Sequence, residues 1–320
     1  MSDAVMTQSS EVPAEEALRT GLVDGDRAIG SIGPVLGHLL ASRQHSLFSD
    51  EILSRVRGMV SDLARQLVIA EDIGASRQED QRSREVDLAS LIDKLMADAR
   101  LVSHCHALAI EGQLCNRLER DSAIDPVLSP LIQSLIASDD TATASTAMAA
   151  LASQARFLQS QRRMELPVSE LPADLFDQIL QARSDETATE TVSLSQATIE
   201  RLRGAYDESA TRLALLSRLV AGMGAGARAA LSIRHAGLGL FLSALSIASR
   251  YDRNLAVIAS TDRQSARLAL SLRAVGLKAQ EIEEQFLHLH PEASLPANLD
   301  SLSADRASAL LAVSGRTTVV

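Results

Sequence analysis

Residues 227–238 read ARAALSIRHAGL, and residues 266–277 read ARLALSLRAVGL. The two segments lie 39 positions apart and agree at eight of twelve positions, with Ile233 against Leu272 a further conservative match. Recurrence at a spacing of about forty residues is the mark of stacked helix pairs, each too small to bury its apolar face alone. Leu216 and Leu219 stand the same 39 residues before Leu255 and Ile258, which carries the register back into the preceding helix. Forward of the segments, Phe241 and Leu245 match Ile282 and Phe286 only after a two-residue shift. The recurrence predicts an all-α chain: an N-terminal helical bundle followed by HEAT-like α-α superhelical repeats.

Composition agrees. The apolar share is 46%, enough for a core, yet there is no Trp and Phe and Tyr together number seven. Ala and Leu carry the apolar content, and these are strong helix formers, whereas strand cores favour β-branched and aromatic residues. The net charge of −10 argues against a nucleic-acid partner. The charge is unevenly placed. Between Gly204 and Lys278 four acidic residues face nine Arg and one Lys, so this block is +6 inside an acidic chain. Cys105 and Cys115 are the only cysteines. Ten residues apart on a helix they sit about 280° around its axis and too far along it to bond. Unpaired thiols without a secretory signal fit a reducing compartment, and the expected location is cytoplasmic. The longest uncharged apolar stretch, Ala236–Ser249, is too short to span a bilayer, so no membrane partner is expected.

Along the chain, residues 1–25 read as a disordered acidic tail. Residues 26–183 form the expected N-terminal helical domain. Within it Ile52, Val56, Met59, Val60, Leu63 and Leu67 trace one helical stripe. Asp125-Pro126 reads as a cap followed by a first-turn proline. Asp140 caps the next helix, with Met148, Leu151, Ala155 and Leu158 facing inward. Residues 184–192, acidic and Thr-rich, read as a linker. Ser193 with Gln196 offers a capping box, opening a helix that runs through Ile199 to Leu219. Residues 193–290 are the expected repeat domain and 291–320 a C-terminal tail.

Few constellations point to chemistry. Gly222-Met223-Gly224-Ala225-Gly226 lacks the preceding strand and the following Lys-Ser or Lys-Thr of a phosphate cradle, and reads as a helix-to-helix turn. His104, Cys105, His106 and Cys115 are zinc-type donors, but residues two apart on a helix diverge by about 200°. They read as buried thiols beside partly exposed histidines. His288 and His290 read as a helix C-terminal cap. His38 and His45 would serve phosphotransfer on a helical bundle, although no acidic residue directly follows His38. No metal site or cofactor is read from the sequence.

The arginines are the remaining candidates. Arg228 and Arg234 recur as Arg267 and Arg273, with Arg263 one turn ahead of Arg267. In equal stacked repeats these positions align into a cationic ladder, suited to carboxylates taken by guanidinium forks. The alternative is intramolecular neutralisation by Asp252, Asp262 or the acidic linker. The block LFLSALSIASRYDRNLAVIASTDRQSARLALSLRAVGL resembles the helical repeats of an uncharacterised bacterial family, domain of unknown function 2336, over about residues 125–290. That resemblance implies an α-α superhelix and brings no catalytic residues. The expected function is a non-enzymatic scaffold docking an acidic protein segment. A histidine phosphotransfer bundle and a metal-dependent enzyme are the alternatives. The apolar helix of residues 47–68 also offers a homodimer surface.

Overall fold

The computed structural model describes residues 14–41, 49–74, 81–184 and 195–314, and among them the regular structure is helical throughout. In chain order the α-helices are α1 (Ala14–Ala41), α2 (Asp50–Gly74), α3 (Gln81–Met96), α4 (Ala99–Ser122), α5 (Pro130–Ile136), α6 (Thr141–Arg163) and α7 (Ala173–Ser184). There follow α8 (Gln196–Ala205), α9 (Arg212–Gly222), α10 (Ile233–Ser249), α11 (Arg253–Ala259), α12 (Ser265–Ala274), α13 (Ala279–Leu289) and α14 (Ala304–Ser314). The described residues fall into two compact units, one within Ser31–Ile258 and one combining residues up to Gly30 with those from Ala259 onward.

The larger unit is organised around α4. From Leu101 to Leu118 nearly every side chain is buried, because α2, α3, α6 and α10 all pack on this helix. Asp98 caps its N-terminus by accepting from the Arg100 and Leu101 N–H groups. On α2 the six apolar residues of the predicted stripe are all buried, so this face is used inside the unit. It cannot serve the expected homodimer. On α6 Leu158 is buried as expected, but the rest of the stripe is rotated by one position. Ala147, Ala150, Gln154 and Leu158 face inward and Met148 is exposed, since alanines let α9 approach closely.

Two helix starts also differ. Asp125 accepts from the Val127 and Leu128 N–H groups in a turn, and α5 begins at Pro130 behind the Ser129 cap. The Ser-Pro pair wins because the Asp125 carboxylate is already satisfied locally. Leu128, expected inside a helix, is exposed in that turn. Ser193 lies outside the described residues; Ser195 caps α8, accepting from the Thr198 N–H. The predicted helix from Ile199 to Leu219 is divided into α8 and α9 by residues 206–211. There the Tyr206 hydroxyl donates to the Leu171 carbonyl and its ring stacks on Phe176 at 4.0 Å. These contacts join chain on both sides of residues 184–192, as do α6 with α9 and α5 with α10. The expected domain division at 184–192 is therefore replaced: α2 to α10 share one unit.

In the smaller unit α12 packs against α13 and α14. The expected tails contribute to it. Part of α1 approaches α12 so closely that a Cβ on Gly21 would lie 2.8 Å from the Ala266 Cβ. On α14, Ala307, Leu310 and Leu311 are buried.

The twin segments have dissimilar local structure. Residues 266–274 are plain α-helix within α12. Residues 227–231 belong to a 3-10 helix, Gly224–Leu231, broken at Ser232 before α10 begins. They also lie in different units. What they share is the ending: Gly237 and Gly276 have φ of 70° and 89°, and Leu238 and Leu277 that follow are buried. Gly237 kinks the chain inside α10 and Gly276 follows the end of α12, and in both the next leucine enters the core.

Candidate functional site

Five arginines predicted to form a ladder are placed in three different ways. Arg228 and Arg234 are exposed in the larger unit, and Arg263 is exposed in the smaller one. Arg267 is only 1% exposed. Its guanidinium reaches the Asp26 carboxylate, and it donates to the Ser314 hydroxyl at 2.8 Å. Arg273 donates to the carbonyls of Leu302, Leu277 and Asp300. Arg267 and Arg273 thus hold the smaller unit together, and the expectation that they line a docking ladder is corrected. Arg228 lies in a 3-10 helix and Arg267 in α12, while Arg234 and Arg273 both lie in α-helices; what differs for both pairs is the chain packed around them.

The buried charges that matter in the larger unit were not singled out from sequence. Glu111 of α4 is completely buried between Arg212 and Arg253. Arg212 gives two bonds to it at 2.7 and 3.0 Å, and Arg253 two more at 2.7 and 2.8 Å. Burial opposes ionisation of Glu111, but the two guanidinium groups outweigh it and hold the carboxyl far below the usual carboxylate range. Gln154 also accepts from Arg212, and the Arg212 guanidinium lies 3.7 Å above the Phe157 ring. The one sequence signal was that Glu111 is the single carboxylate between Leu101 and Leu118, on a stretch rich in Leu, Ala and Cys.

Above Arg212 opens a cleft of about 330 Å³, walled by α6, the segment 165–170 and the start of α9. Arg156, Ser160 and Arg163 share one face of α6, at helical spacings of four and three. Leu108, Leu166 and Leu213 supply apolar wall. Glu165 and Glu170 are half-buried at its edge; the Glu170 carboxylate accepts from the Arg212 backbone N–H at 2.8 Å.

The other sequence candidates show little chemistry. His104 and His106 are buried, not partly exposed as expected, and burial pushes each imidazole down to about 4. Burial pushes the Cys105 thiol up to about 12 and Cys115 higher still, which keeps both protonated and inert. His290 is buried at the end of α13, with Nδ1 3.5 Å from the Asp262 carboxylate. His38 belongs to α1, and His45 lies outside the described residues. Among the described residues no three His, Cys, Asp or Glu side chains are placed to hold a metal ion, and no single helix is long and apolar enough to cross a membrane. No protein-family model, curated protein or solved structure matches this chain.

Proposed function

We propose that this protein is a non-enzymatic interaction module that docks an acidic protein segment on the exposed arginines of the α9–α10 region. One observation carries the reading. From Ser209 to Tyr251 there is no Asp or Glu, and this stretch exposes Arg218, Arg228, Arg234 and Arg250. Most surface arginines sit near carboxylates on their own segment and gain little by further pairing. This 43-residue acid-free stretch offers these arginines no carboxylate within the segment itself and so concentrates positive charge suited to an acidic partner. Arg228 and Arg234 remain the central site residues, whereas Arg267 and Arg273 leave the proposal.

A HEAT-like arrangement and kinship with domain of unknown function 2336 belong to the same proposal. The shared positive-φ glycine and buried leucine of the twin segments support a common helical ancestry, while their differing local structure argues against equal rungs. A cytoplasmic setting is supported by two thiols that stay unpaired on α4. The test is direct. A fluorescein-labelled polyglutamate peptide should bind with an affinity that falls as salt rises. The double variant R228E/R234E should weaken binding by about tenfold or more. Equal affinity for wild type and double variant would remove these arginines from the site. In-cell cross-linking of both forms would then name the partner that only wild type retains.

A further inference from the structure

The cleft above Arg212 carries opposite charges that do not neutralise each other. Arg156 and Arg163 stand seven residues apart on α6, about two helical turns, and both are exposed. Glu165 borders the same cleft with its carboxylate half-buried. Among the described residues, none of these three side chains forms an ion pair or hydrogen bond, either with the others or elsewhere. Glu170 adds a second carboxylate, facing the Arg212 backbone. The Glu165 carboxylate has no donor among the described side chains, and a ligand ammonium in the cleft would supply one.

The floor between the charges is apolar and held rigid. Phe157 is pinned from one side by the Arg212 guanidinium, which Glu111 and Gln154 fix in place. Leu108 and Leu166 are buried beside it. A volume of about 330 Å³ suits a molecule of amino-acid to dipeptide size. A simple anion would meet Glu165 and Glu170, and a simple cation would meet the arginines. A molecule with both charges satisfies each wall, and the walls reject ligands that carry one charge alone.

We propose that this cleft binds a small zwitterion of the amino-acid or dipeptide class. Its carboxylate is taken by Arg156 and Arg163, its ammonium by Glu165, and an apolar side chain lies over Leu108, Phe157 and Leu166. The site stands independently of the docking surface, since neither Arg228 nor Arg234 borders it.

Isothermal titration of the full chain tests this with the twenty free amino acids and the dipeptides leucylleucine, leucylphenylalanine and phenylalanylleucine. The expected result is saturable binding at one site for at least one apolar member. N-acetylation or C-amidation of that ligand should weaken binding by about tenfold or more, because each removes one charge-assisted contact. E165Q should weaken the free zwitterion and leave the N-acetylated form unchanged. R156Q and R163Q should show the mirror pattern with the C-amidated form. All three side chains are at the surface, and far-UV circular dichroism reports whether the variants keep the fold. No saturable binding across the panel, or equal affinity for blocked and unblocked ligands, would overturn the assignment without touching the docking proposal.

Discussion

At the residue scale the buried charge of Glu111 governs the larger unit. Two guanidinium groups with one carboxylate leave an excess positive charge that only full hydrogen bonding makes tolerable. E111Q keeps the shape and removes the counter-charge. It should lower stability by about 3–5 kcal/mol, read from urea unfolding followed by circular dichroism. The sequence showed a lone carboxylate on this stretch but not its partners, which arrive from 101 and 142 positions away. The same scale explains pH sensitivity. His104 and His106 titrate near 4 when folded, against 6.5 as free side chains. The folded state therefore holds fewer protons than the unfolded state between these values. Their contribution is complete above about pH 6.5 and lost as pH falls toward 4, up to about 3 kcal/mol for each imidazole. Urea midpoints measured from neutral pH downward should fall across that window, and H106L should flatten part of the fall.

At the element scale the helix ends decide where chain reverses. Ala123, Met164 and Arg250 close α4, α6 and α10 with φ between 52° and 58°, a region that favours glycine. Ala123 is exposed, so its methyl group contributes little burial for glycine to forfeit. A123G should raise stability by about 0.5–1 kcal/mol, seen as a higher unfolding midpoint. Close approach works in the opposite direction at Gly58 of α2, where an added Cβ would lie 2.4 Å from the Met164 Cβ and 3.0 Å from its carbonyl oxygen. G58A should cost about 1–3 kcal/mol, because backbone cannot step aside as a flexible side chain does. The stripe of α2 and the Asp140 cap of α6 were legible because each depends on neighbours within one turn. The inward face of α6 was not. Its register is chosen by how closely α9 can approach, and an Ala-rich helix offers several similar faces.

For the molecule as a whole, the chain ends close the smaller unit. Asp26 from α1, Arg267 from α12 and Ser314 at the end of α14 share one buried network, spanning nearly the full sequence. D26A should strand the Arg267 charge and loosen this unit selectively. Hydrogen exchange of amides in 265–314 should accelerate, while those of α4 and α10 keep their protection. Unchanged exchange in 265–314 would show that the network contributes nothing. Residues 1–25 and 291–320 read as tails in sequence because polar, small-residue segments carry weak helical periodicity. The described parts, 14–25 and 291–314, owe their helices to long-range contacts that no local window contains.

The sequence by itself determined that the chain is helical, where several helices start, and that the C-terminal half concentrates positive charge. These follow from propensity, short-range spacing and composition, all carried by residues close together in the chain. Tertiary structure alone decided which arginines reach solvent. Arg228 and Arg267 occupy the same position in a repeated motif, yet one is exposed and the other is sealed against Asp26. Burial depends on what other segments pack against a side chain, and identical local sequence cannot encode different neighbours.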